Sequence, residues 1–154
     1  MYTILDIIDN LVYIVEKEIS IFKDISNDEN KDIRIKIMSD AIKKQCKKHK
    51  DLLENLKMNI GNELEEYVDF HSYDKISSRI QEFKGRIHKP NINSLDDFKN
   101  WLLCMEKDNL ALLLDIRGRL VKKEIDINSL AYSIISRIIN EQKQYINMLV
   151  AFFQ

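Results

Sequence analysis

Glycine and proline are nearly missing from this chain, with three glycines and one proline in 154 residues. So few turn-forming and helix-breaking residues, beside 45% hydrophobic and 32% charged residues, describe a helical globular protein and argue against disorder. Cysteine is almost as scarce. Cys46 and Cys104 both fall inside helical patterns, which excludes a secreted disulfide framework and points to free thiols in a reducing cytosol. Excess charge is also lacking: 24 Lys and Arg against 25 Asp and Glu leave a net charge of −1, so no global field selects nucleic acid or a membrane surface. The start, Met1 to Asp6, has no basic segment, and Asp6, Asp9 and Asn10 interrupt its apolar residues. Neither a signal peptide nor a membrane span fits. No Gly-rich phosphate loop, no Ser/His/Asp arrangement and no paired Cys-x-x-Cys is present.

What is present is helical periodicity within one domain, 1–154. Ile4, Ile8, Leu11, Val15, Ile19, Phe22 and Ile25 recur every three or four positions and predict helix A over about 3–26. Ser26-x-x-Glu29 reads as a capping box opening helix B, about 28–60, with Gly61 as its stop. The inward stripe of B is Met38, Ala41, Ile42, Gln45, His49, Leu52, Leu53 and Leu56. Residues 61–93 are too long for a bare loop in a compact domain and form a crossover with a short helix from about Asp74 to Arg86. Ser94 caps helix C, about 95–122, whose stripe runs Phe98, Trp101, Leu102, Met105, Asn109, Leu112, Leu113 and Ile116. Helix D, about 127–153, carries Leu130, Ile134, Ile138, Glu141, Tyr145, Met148 and Phe152. The fold class is all-α, a four-helix bundle with one long crossover between helices B and C.

Two segments recur. Val15-Glu16-Lys17-Glu18 returns as Met105-Glu106-Lys107-Asp108, and Cys46-Lys47-Lys48-His49 returns in outline as Glu141-Gln142-Lys143-Gln144. With that layout, Glu16 to Phe22 resembles the first-helix pattern of the ferritin-like and rubrerythrin-like bundles, in which one glutamate stands on the first and third helices and Glu-x-x-His on the second and fourth. Glu106 takes the same role on helix C. Helix B, from Ala41 to Leu53, is similar to the second-helix segment with Cys46 in place of the glutamate; helix D keeps Glu141 but has Gln144 where histidine belongs. The resemblance implies a divergent relative with four of six ligand positions: Glu16, His49, Glu106 and Glu141, with Cys46 and Gln144 as weaker candidates. It implies a reduced iron or manganese site doing oxygen- or peroxide-linked redox chemistry, with a separate protein as electron donor because no rubredoxin-like cysteine pairs follow.

The residues themselves leave alternatives beside each of these roles. His49, at the centre of its stripe, is either a hydrogen-bonded core histidine or a ligand. An unpaired Glu141 on an inward face costs several kcal/mol to desolvate and needs a metal, a histidine or a shared proton. Glu16 and Glu106 flank their stripes, so Glu18 or Asp108 turning inward, or simple solvation, is the other reading. Three carboxylates and an imidazole suit Fe(II), Mn(II) or Zn(II). Cys46 sits at the edge of its stripe and reads as a semi-buried thiol or a soft-metal ligand; Cys104 reads as packing, and His71 and His88 as surface residues. Lys43, Lys44, Lys47, Lys48 and Lys50 form a solvated face, because no aromatics or arginines interleave them. The apolar run from Ile138 to Phe153 reads as core packing, with a homodimer contact as the alternative. The competing function is a metal-free bundle that acts as a structural or protein-interaction module.

Overall fold

A computed structural model describes residues 2–60 and 66–154, and it is all-helical apart from one two-residue strand pair. The order is β1 (Tyr2–Thr3), α1 (Ile4–Ser26), α2 (Ile33–Ile60), β2 (Tyr67–Val68), α3 (Phe70–Arg86), α4 (Leu95–Arg119), a 3₁₀ turn (Glu124–Asn128) and α5 (Leu130–Phe153). Strands β1 and β2 pair antiparallel, Tyr2 with Val68 and Thr3 with Tyr67. Among the described residues no helix is long and apolar enough to cross a membrane. Gly61, read as the stop of helix B, lies outside the described residues.

Each helix starts where a side chain can take up its free amide groups. Thr3 and Asp6 make a reciprocal capping box on α1. Asp69, Ser94 and Ser129 accept from Ser72, Asp97 and Tyr132 to cap α3, α4 and α5. Helix α2 begins at Ile33 rather than near residue 28. Ser26 is the last residue of α1, its hydroxyl donating to Lys23 O at 3.0 Å, and Asp32 accepts the Arg34 N–H at 2.8 Å instead. The crossover helix begins at Phe70, four residues before the expected start, because Asp69 is there to cap it.

Ion pairs and ring contacts fix the helix directions. Asp9 pairs with Lys57 and Glu16 with Lys50, so α1 and α2 run antiparallel. The side chain of Gln142 donates to Glu106, and that of Arg117 to Ser136, so α4 and α5 also run antiparallel. Phe22 meets Trp101 with ring centroids 5.6 Å apart, close to where α1 ends and α4 begins. The chain must therefore travel from the far end of α2 back to the start of α4. Helix α3 makes that journey along α1: Tyr73 stacks on Tyr2 at 3.7 Å, and Lys84 donates to Asn10 at 2.8 Å.

The core is continuous, with Phe22, Ile25, Phe83, Phe98, Leu102, Ile116 and Ile135 among its deepest residues. Apolar stripes at helical spacing account for most of it, and burying each such side chain contributes roughly 1.5–3 kcal/mol. The run toward the C-terminus departs from the expected packing. Met148 and Phe152 are 49% and 71% exposed, because α5 turns Ile146 and Leu149 inward instead. Cys104 is exposed, not packed beside Trp101.

One cap ties the crossover to α5. Glu66 accepts the backbone N–H of Leu130 at 2.9 Å and of Ala131 at 3.0 Å. A carboxylate on two free amides at a helix N-terminus is favoured by hydrogen bonding and by the helix dipole. Glu66→Ala is expected to lower stability by about 1 kcal/mol in urea unfolding, with Glu66→Gln losing less; an unchanged midpoint for Glu66→Ala would contradict the cap.

Candidate functional site

Four helices send polar side chains to one place in a largely apolar interior, where Ser39 and Ser72 are the other buried polar residues among those described. Glu18 comes from α1, Cys46 from α2, Glu106 from α4, and Gln142 and Tyr145 from α5; all five are buried. The Cys46 thiol donates to Glu18 Oε2 at 3.8 Å. The Gln142 amide donates to Glu106 Oε2 at 2.7 Å and to the Glu106 backbone oxygen at 3.0 Å. One oxygen of each acid is thus satisfied. Glu18 Oε1, Glu106 Oε1 and the Tyr145 hydroxyl are buried with no protein partner.

Helical geometry explains why these residues face inward. Glu18 lies three residues after Val15 and four before Phe22, on the ridge that α1 buries. Cys46 lies four residues after Ile42 and seven before Leu53. Gln142 and Tyr145 lie one turn apart between Ile138 and Leu149.

Burial dominates the electrostatics. It pushes the Glu18 carboxyl well above the usual range, helped by the nearby charge of Glu106 and opposed by the Cys46 hydrogen bond. Burial likewise raises Glu106 to about 7, opposed by the Gln142 amide. The Cys46 thiol is pushed up by burial and then by the two acids, and the Tyr145 phenol by burial and then by Glu106, Cys46 and Glu18. Left to itself, the cluster favours its protonated forms.

His49 follows Cys46 by one turn and is half-buried. Its ring meets Tyr145 edge-on with centroids 4.9 Å apart, and its Nε2 lies 3.4 Å from the Gln45 amide. Burial lowers its pKa, opposed by Glu141. A cavity of about 40 Å³, room for two or three waters, is lined by Glu18, His49, Glu141 and Gln142 with apolar neighbours such as Leu52 and Leu113.

The four residues expected as metal ligands are not gathered. Glu106 is buried, 1% exposed, and belongs to the cluster. Glu16 is exposed and ion-paired with Lys50 at 3.0 Å, while Glu18 takes the inward place. Glu141 is exposed at the cavity wall and Gln144 is exposed, because α5 is turned by about one residue from the expected face and brings Gln142 and Tyr145 inward. Cys46 is fully inside rather than at an edge, and Ala41 is exposed. As the side chains lie, no three His, Cys, Asp or Glu groups among the described residues are close enough to share one ion.

Sequence reasoning thus offered Glu18 only as the alternative to Glu16, and missed Gln142 and Tyr145 as site residues. The signal for Glu18 was its ridge position; for α5 it was the second apolar row of Ile135, Ile139 and Ile146, which only an inward Gln142 accommodates. No protein-family model matches the chain, and no curated protein and no solved structure matches it.

The acids make stability pH-dependent. A carboxyl whose folded pKa is raised binds its proton more tightly folded than unfolded, so its contribution is full at low pH and is lost as pH rises. For Glu106 the loss runs from pH 4.5 to about 7. His49, lowered by burial, acts in the opposite sense, so the readout is the difference between two proteins. Wild type is expected to lose stability relative to Glu106→Gln across that window in urea titrations; parallel curves would contradict it.

Proposed function

We propose that the chain is a divergent ferritin-like, rubrerythrin-like protein. In this reading α1, α2, α4 and α5 form a four-helix bundle, α3 lies on its one long crossover, and the polar centre takes a single divalent cation, Fe(II) or Mn(II), between Glu18 and Glu106. The observation that carries it is the set of buried, unpartnered oxygens: Glu18 Oε1, Glu106 Oε1 and the Tyr145 hydroxyl, from three different helices. Buried polar atoms are nearly always satisfied, and unsatisfied ones call for an occupant. A cation would replace the acidic protons and meet both free carboxylate oxygens.

The spacing supports the same reading. Glu18 and Glu106 stand on the first and third long helices, and Cys46-x-x-His49 and Gln142-x-x-Tyr145 on the second and fourth, matching the register of bundles that hold paired metals. A two-metal centre does not fit this donor set: a thiol and an amide replace the two bridging carboxylates, and a phenol replaces the second imidazole. One cation fits, with His49 on the adjoining cavity wall as the neutral nitrogen donor.

A cation with an open position would supply oxygen- or peroxide-linked redox chemistry. The chain's own part is to exclude bulk water, to hold the acids by the Gln142 amide and the Cys46 thiol, and to admit small molecules through the cavity beside His49.

A second reading rests on the same hydrogen bonds. Each acid already has a neutral donor, so the cluster can persist with protons alone, and the protein would then act through its surface as a structural or interaction module. Metal content after anaerobic purification with added Fe(II) and Mn(II) separates the two. The first reading expects about one equivalent per chain in wild type, lost in Glu18→Gln and in Glu106→Gln and kept in Glu16→Gln and Glu141→Gln. No bound metal in wild type would leave only the second.

A further inference from the structure

We infer that Cys46 is itself a ligand and that the polar centre is a thiophilic site, favouring Fe(II), Co(II) and Zn(II) over Mn(II). This rests on the single-cation reading above and names the class of cation. The Cys46 sulfur lies 3.8 Å from Glu18 Oε2. A sulfur at about 2.3 Å and an oxygen at about 2.0 Å on one tetrahedral zinc stand about 3.5 Å from each other. Thiol and carboxyl are therefore within a few tenths of an ångström of the separation that two ligands of one ion require.

A weak S–H···O contact has a similar length, so the neighbouring atoms decide. The other oxygen of the same carboxyl, Glu18 Oε1, and Glu106 Oε1 are both without partners, on residues only 3% and 1% exposed. Both acids lie within electrostatic range of the sulfur. No three such groups among the described residues yet surround a single point, so binding requires a side chain to change rotamer; Glu106, with three rotatable bonds, can do so while Gln142 keeps its hydrogen bond to the Glu106 backbone oxygen. Coordination removes the thiol proton and the carboxyl protons to water, and no electron is transferred. A thiolate beside two carboxylates, with an imidazole one turn away on α2, is softer than an all-oxygen set and suits zinc better than manganese.

Cobalt(II) makes the sulfur bond visible. Titration of the full chain with Co(II) under reducing, anaerobic conditions is expected to give a stoichiometric complex with a sulfur-to-metal charge-transfer band in the near ultraviolet. Cys46→Ser should still bind Co(II) but lose that band, and its preference for Zn(II) over Mn(II) should shrink by about tenfold or more. Stoichiometric cobalt in wild type without the band would overturn the role of Cys46 and leave the single-cation reading standing. Absence of stoichiometric binding by Co(II), Zn(II), Fe(II) and Mn(II) alike would overturn both. The wild-type spectrum decides the point even where a variant fails to fold.

Discussion

Two glutamic acids, Glu18 and Glu106, are buried within electrostatic reach of each other, and among the described residues no lysine or arginine pairs with either. An ionised carboxylate in such a place is costly by several kcal/mol, and two are costlier still. The surrounding helices must therefore supply either protons with hydrogen-bond donors or a cation. They supply one neutral donor to each acid, Cys46 to Glu18 and Gln142 to Glu106, and leave one oxygen of each free. The rest of the interior is largely apolar, so the location of this polar centre constrains which face each long helix must bury.

The centre has an internal symmetry. Each half of the chain contributes a glutamate from one helix and, from the next, a polar residue followed one turn later by an aromatic ring: Glu18 with Cys46 and His49, then Glu106 with Gln142 and Tyr145. The two halves meet where the His49 and Tyr145 rings touch. The differences between the halves are chemical. One half offers a thiol and an imidazole; the other offers an amide and a phenol, both poor ligands when neutral.

Helix number, order and approximate extent were legible because long periodic stripes bounded by Ser94, Thr3 and few glycines leave little choice. The presence of a helix between α2 and α4 was legible from the length of that segment. The facing of the helices was legible only in part, since a rotation of one residue, about 100°, separates Glu141 from Gln142 and Gln45 from Cys46. On α5 two apolar rows compete, and both Glu141 and Gln142 fall at helical spacing from Ile138 and Tyr145. Charge alone favours Glu16 and Glu141; on α1 the ridge through Leu11, Val15 and Phe22 points to Glu18. On α4, Glu106 is the one acid that lies beside Met105 on the buried face. The start of α2 was missed because Ser26 is drawn back into the last turn of α1 and Asp32 caps in its place.

The account depends on Glu18 and Glu106 sharing one buried environment although they lie far apart in the chain. A double-mutant cycle on the chelator-treated protein, with Glu18→Gln, Glu106→Gln and the double variant compared by urea unfolding, tests that directly. A coupling energy above about 0.5 kcal/mol is predicted, with Glu16→Gln and Glu141→Gln adding independently; additivity of Glu18→Gln with Glu106→Gln would mean that the two acids do not meet and would contradict the account.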